Sequence, residues 1–99
     1  DMDKELKAKW IAALRSGDYK QCANEYHDSA TGGYCCLGVL ALIDHGRPPL
    51  DKKERYYGDS EDKVGDVVVP LANMNDGTGD FYGKPQTFAQ IADYIEQNL

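Results

Sequence analysis

The segment that most constrains the fold is a run of about ten residues, 36–45, with apolar side chains on nearly every face of a helix. The apolar side chains are those of Leu37, Val39, Leu40, Leu42 and Ile43. A helix that is apolar all round is stable only when other elements surround it. We therefore predict a buried central helix here. Gly46 and the following Pro48-Pro49 end it, and Gly38 within it predicts the close approach of another element.

Two further helices are predicted near the two ends of the sequence, because each shows one apolar stripe at helical spacing. The first stripe consists of Leu6, Trp10, Ile11 and Leu14, and the last of Phe88, Ile91, Ala92, Ile95 and Leu99. Asp3 and Thr87 are the predicted N-caps, Gln90 completes a capping box with Thr87, and Gly17 ends the first helix.

The sequence patterns that indicate strands are shorter than those that indicate helices. The loose alternation over 19–26 predicts a strand, the glycine-rich stretch 27–33 predicts a turn, and Tyr34 with Cys35 would return as a second strand. A short strand is also predicted over 67–69, ended by Pro70, with a helical turn after it. These elements give an α+β class: three helices around a small antiparallel hairpin or sheet.

The chain has 99 residues, which is the size of one domain, so residues 1–99 are predicted to form a single globular unit. The polar residues 47–65 are predicted to form a solvated excursion loop. Tyr56 and Tyr57 stand out in it, because adjacent tyrosines in a polar loop either pin it to the core or face a partner.

The charge balance excludes some partners. The 17 acidic residues exceed the 11 Lys and Arg, which gives a formal net charge of -6. An acidic chain repels phosphate backbones, so direct nucleic-acid binding is not expected. We expect neither a membrane span nor a signal peptide, because the apolar stretches are short and the first residues are charged. We therefore expect a cytoplasmic protein with no membrane association.

The three cysteines are Cys22, Cys35 and Cys36, and they are expected to be free thiols. The alternative is a disulfide from Cys22 to Cys35 or Cys36 across the hairpin. Cys35 and Cys36 lie where a strand leads into the central helix, and with His27 as a base they could form a thiol hydrolase site. Buried packing is the more common role of cysteine. Adjacent cysteines also diverge at a helix start, so no metal site and no cofactor is predicted.

A second group of candidates consists of polar and tyrosine residues at the ends of elements: Arg15, Tyr19, Gln21, Tyr34, Asn75 and Asp76. If those ends converge, the side chains offer stacking surfaces, a cation and directional hydrogen bonds to a small ligand. The alternative is that Asn75 and Asp76 bond backbone groups in a turn while the tyrosines close the edge of the core.

Four stretches of the sequence form a recognisable set: ALRSGDYKQ (13–21), YCCLGVL (34–40), LANMND (71–76) and TFAQIADYIE (87–96). Together they resemble a family of small, uncharacterised phage and prophage proteins. The Lys20-Gln21 and Asn75-Asp76 pairs are the polar positions that match this resemblance. It implies a small accessory protein of the host cytoplasm, as a monomer or a homo-oligomer, that acts in counter-defence or host takeover.

Three functions follow as hypotheses. The first is stoichiometric binding to a host protein, motivated by the acid excess and by the acidic residues within 59–66. The second is binding and sequestering of a small nucleotide signal by the tyrosine and amide set. The third is the cysteine-dependent hydrolase. We rank a binding protein without catalytic activity first.

Overall fold

A computed structural model describes residues 2–49 and 60–99. In chain order its elements are α1 (Lys4–Ser16), β1 (His27–Asp28), β2 (Gly33–Tyr34), α2 (Cys36–His45), α3 (Val68–Asp76) and α4 (Phe88–Asn98). Residues 60–62 are also helical, and short 3-10 helices cover Gly65–Val67 and Gly79–Phe81. The predicted α+β class is confirmed, and one apolar cluster includes side chains from all four helices.

The two terminal helices form as their stripes and caps predict. The Asp3 carboxylate accepts a hydrogen bond from the N–H of Leu6 at 2.9 Å, and Gly17 ends α1 in the left-handed conformation at φ 79°. At α4 the Thr87 and Gln90 side chains make the reciprocal capping box. α1 packs against both α4 and α2, so its stripe is buried between them.

The central helix α2 is buried over its first six residues, Cys36 to Ala41, whereas Leu42 and Ile43 are half-buried. The indole N–H of Trp10 donates to the carbonyl oxygen of Cys36 at 2.9 Å, which joins α1 to the start of α2. Gly38 is required by close packing, because a Cβ there would overlap the carbonyl oxygen of Tyr26.

The hairpin is shorter than predicted and is shifted along the chain. His27 pairs with Tyr34 and Asp28 with Gly33, so the predicted strand over 19–26 is wrong except for an isolated bridge from Gln21 to Tyr34. Asn24 adopts φ 66°, which interrupts an extended segment. Cys35 is the N-cap of α2 and not a strand residue.

The predicted strand over 67–69 is wrong, because Val68 begins α3. Pro70 falls in the first turn of this helix, where a backbone N–H has no intrahelical acceptor, so proline is tolerated there. The helical turn predicted after Pro70 is therefore part of a helix of nine residues. It ends at Gly77, which is left-handed at φ 70° and bonds back to Asn73.

The last six residues of the predicted polar loop over 47–65, residues 60–65, are partly helical and packed against the fold. Ser60 and Val64 are buried, and residues 60–62 are helical. Asp44 on α2 holds this segment, because its carboxylate accepts hydrogen bonds from the Ser60 hydroxyl at 3.0 Å and from the Lys63 ammonium at 2.7 Å. Residues 50–59, with Tyr56 and Tyr57, lie outside the described residues.

Candidate functional site

Asn75 is the centre of a closed hydrogen-bond network at the end of α3. Its side-chain oxygen accepts from the Gln21 amide at 2.9 Å and from the N–H of Cys36 at 3.1 Å. Its side-chain NH₂ donates to the Cys22 carbonyl at 2.8 Å and to the Asp76 carboxylate at 3.0 Å. Asn75 is 2% exposed, and both its acceptor positions and both its donors are occupied. The residue therefore joins three chain segments to one another.

The two tyrosines predicted at the site lie together at the edge of the hairpin. The rings of Tyr19 and Tyr34 meet edge to face with centroids 5.9 Å apart. The His27 ring stacks on that of Tyr34 with a centroid distance of 4.3 Å. Lys20 takes part through its carbonyl, which accepts from the N–H of Tyr34 at 2.8 Å, while its side chain is exposed. Tyr34 is buried, so this aromatic group closes the core edge.

Arg15 does not join the other predicted residues. Its guanidinium forms ion pairs with Asp93 at 2.7 Å and Glu96 at 3.2 Å, which link α1 to α4. The hydrogen bonds to Glu96 and Asp93 raise the pKa of Arg15. The hydrogen bond from Arg15 lowers the pKa of Glu96. The structure thus brings together Gln21, Tyr34 and Asn75 but places the predicted cation elsewhere.

An open cavity of about 310 Å³ lies beside α3. Its walls are mostly apolar, and the described residues that line it are Asn24, Glu25, Tyr26, Cys35, Leu37, Glu61, Val68, Val69, Ala72 and Asp76. Three of these side chains, Glu25, Glu61 and Asp76, are carboxylates. Val69 is 65% exposed, which is unusual for an aliphatic side chain among the described residues. We refer to this feature as the α3 cavity.

Glu61 places a carboxylate in the wall of the α3 cavity. Its Oε1 atom is withdrawn from solvent and has no hydrogen-bond partner among residues 2–49 and 60–99. Burial, and to a smaller degree the charge of Asp62, raises the pKa of the Glu61 carboxyl above its usual value. A shielded carboxylate oxygen is costly to leave unpaired, so this position favours an incoming donor.

Asp76 belongs to both the Asn75 network and the α3 cavity. Its Oδ1 atom accepts from the backbone N–H of Asn24 at 3.0 Å and from the Asn75 amide. Of the residues predicted from the sequence to bind a ligand, Asp76 is the one that lines this cavity among the described residues. Glu61 was predicted only as one of the acidic residues within 59–66, and Val69 was missed, because it lies in an apolar run assigned to a strand.

The thiols do not have the environment of a nucleophile. Burial raises the pKa of Cys35 to about 12, even though its Sγ accepts a hydrogen bond from the N–H of Gly38 at 3.3 Å. Burial also raises the pKa of Cys36 well above its usual value. Nδ1 of His27 lies 2.9 Å from the Gly33 carbonyl oxygen, and its ring stacks on Tyr34. All three cysteines are free, as expected.

Residues 2–49 and 60–99 contain neither a metal-binding cluster nor a helix that could span a membrane. No group of three or more His, Cys, Asp or Glu side chains is arranged to hold a metal ion in this part of the chain. No helix in the same residues combines the length and apolar character needed to cross a bilayer.

Comparison with known proteins gives one match. The model of the family described as "Domain of unknown function (DUF8296)" matches residues 2–63, which is more than half of the chain, and the protein belongs to this family. No curated protein matches the chain. No solved structure matches it either. The matched residues include α1, the hairpin and α2, whereas α3 and α4 follow them.

Proposed function

We propose that this protein is a phage or prophage accessory protein without catalytic activity, which acts in the host cytoplasm by stoichiometric binding to a host protein. The observation that carries the proposal is the α3 cavity, which combines apolar walls, an exposed Val69 and three carboxylates. Exposed apolar surface beside charged groups is typical of a protein-binding site. The phage context comes from the resemblance of the four sequence stretches.

The charge of the chain supports a basic partner. The formal net charge is -6, and the carboxylates of Glu25, Glu61 and Asp76 add local negative charge at the α3 cavity. Complementary potentials accelerate encounter and select among partners. A host protein with a basic surface, such as a nucleic-acid-binding face, therefore fits this site better than an acidic one.

The second hypothesis, sequestering of a nucleotide, gains less support. The amide of Asn75 and that of Gln21 are already engaged in protein hydrogen bonds, and Arg15 is paired with two acids on another face. The carboxylates at the α3 cavity repel phosphate groups. The third hypothesis, a cysteine hydrolase, needs a thiolate, which burial of Cys35 and Cys36 opposes.

Site-specific photo-crosslinking in host cells tests the proposal. A photoreactive amino acid replaces Val69 in one variant and Tyr82 in another; both side chains are exposed, and Tyr82 does not line the α3 cavity. We expect the Val69 variant to form a covalent adduct with one basic protein and the Tyr82 variant to form none. The purified partner should then bind the unmodified chain with one-to-one stoichiometry in calorimetry.

Two outcomes would contradict the proposal. If the two variants yield the same set of adducts, the contact is non-specific and the α3 cavity is not a protein-binding site. If the Val69 variant gives no adduct in cells in which the protein still exerts its effect on the host, stoichiometric binding through this site is excluded.

A further inference from the structure

The α3 cavity has the size of a site for one side chain. Its volume of about 310 Å³ lies at the small end of the range of roughly 300–1,000 Å³ that ligand pockets occupy. It is open to solvent along the exposed Val69. A single protruding side chain of a partner protein can therefore enter, whereas a folded element of the partner stays outside.

The walls of the cavity carry two kinds of surface. Val68, Val69 and Ala72 are apolar residues of α3 in the cavity wall, and Leu37 of α2 adds to them. Glu61 supplies a carboxylate from the segment before α3. Lysine and arginine carry an apolar stem and a cationic end, which is the combination that such a pair of surfaces accepts.

The unpaired oxygen of Glu61 decides what kind of end group fits. Its Oε1 atom is shielded from solvent and receives no hydrogen bond from the described part of the chain. A neutral apolar side chain would leave this oxygen unpaired. An anionic group would add repulsion from Glu25, Glu61 and Asp76. An ammonium or guanidinium group can offer the missing N–H together with the opposite charge.

We infer that the α3 cavity binds a lysine or arginine side chain of the partner protein, with its stem on Val68, Val69 and Ala72 and its cationic end at Glu61. This inference rests on the proposed function for the identity of the partner. The binding of an aliphatic cation in the cavity can be tested without that partner.

Three probes of matched length, n-pentylamine, 1-pentanol and pentanoate, separate the contributions of stem and charge. Each is titrated into the ¹⁵N-labelled protein while the backbone amide signals of Val68, Val69 and Ala72 are followed. We expect n-pentylamine to bind about tenfold more tightly than 1-pentanol, because a hydrogen bond to a charged group adds this much affinity. Pentanoate should bind more weakly than either.

Glu61→Gln and Asp62→Asn form a matched pair of variants. Each removes one negative charge, but Asp62 is exposed and does not line the α3 cavity. We expect Glu61→Gln to bring n-pentylamine to the affinity of 1-pentanol, and Asp62→Asn to change the preference by less than about twofold. Retention of the amide spectrum in both variants shows that the fold is intact.

The possible results separate the inference from the proposed function. Equal binding of n-pentylamine and 1-pentanol, equal losses in the two variants or no binding of any probe overturns the inference, even if a protein crosslinks at Val69. A preference for the amine that depends on Glu61, without any protein crosslinked at Val69, supports the cation site and overturns its occupation by a protein side chain. Both results together, with n-pentylamine suppressing the crosslink, support the whole inference.

Discussion

The Asn75 network and the α3 cavity both include residues of α3, but they differ in whether their polar side-chain atoms have hydrogen-bond partners. In the network every hydrogen-bonding group of Asn75 has a partner within the protein. In the wall of the cavity, Glu61 has an Oε1 atom for which the described residues supply no partner. A saturated buried amide specifies how chain segments meet, whereas an unsatisfied carboxylate retains binding capacity for a ligand. The comparison teaches that the first region maintains the fold and the second is available for function.

Asp76 connects the two regions, since one of its oxygens is held by Asn24 and Asn75 while the residue also lines the α3 cavity. Because Asp76 belongs to both regions, the residues predicted from the sequence included one residue of the cavity wall among those that the structure describes. The polar pair Asn75-Asp76 was visible as a candidate, but the two residues have different roles.

The largest expected effect is the loss of stability on Asn75→Ala. The substitution leaves the N–H of Cys36 and the carbonyl of Cys22 without a side-chain partner, and we expect the free energy of unfolding to fall by about 3 kcal/mol. Urea unfolding followed by Trp10 fluorescence measures it.

Asn73→Ala is the control for this experiment, because Asn73 lies on the same helix and its side chain bonds only the exposed Thr78 hydroxyl among the described contacts. We expect a loss below about 1 kcal/mol for this variant. Equal losses at Asn73 and Asn75 would mean that the network does not hold the fold.

A smaller effect is expected at the adjacent cysteines. Cys36 is fully buried, so Cys36→Ser places a hydroxyl in the core and should cost about 1–3 kcal/mol. Cys35 is the N-cap of α2 and lines the α3 cavity, and serine is a preferred N-cap, so Cys35→Ser should change stability by less than about 0.5 kcal/mol. Urea unfolding of both variants checks this; similar losses would contradict the assignment of Cys35 to the cavity wall.

The smallest effect concerns the pH dependence of Glu61→Gln. The pKa of Glu61 is raised in the folded protein from its usual value of 4.5, so ionisation of this carboxyl opposes folding. Relative to wild type, Glu61→Gln should show no difference below pH 4.5 and a growing stability advantage as the pH rises through the folded pKa. We expect this advantage to stay below about 1 kcal/mol because the group is partly exposed.

Unfolding measured at several pH values between 4 and 8 provides the test for Glu61. The lowered pKa of Asp44 acts in the opposite direction, since its contribution is lost as the pH falls below 3.8, and it is common to both proteins. A Glu61→Gln variant less stable than wild type at neutral pH would show that the carboxylate is satisfied and that the comparison of the two regions fails.

Much of the helical structure could be predicted because its signals are local. The stripe of Trp10 and Leu14, the N-cap Asp3 and the Thr87 capping box each lie within the helix that they specify. The valine run before Pro70 misled the prediction, since β-branched residues favour strands while a proline in the first turn is equally compatible with a helix. Burial of Leu71 and Met74 in the core favours a helix over a strand in this segment.

The sequence alone determined where α1 and α2 begin and end and where α4 begins, because spacing, caps and terminal glycines act within a few residues. Only the tertiary structure decided which polar groups are paired and where a cavity opens. The α3 cavity is built from segments around residues 25, 36, 61 and 72, which are far apart in the chain. Their juxtaposition depends on how the helices pack, and no local pattern contains that information.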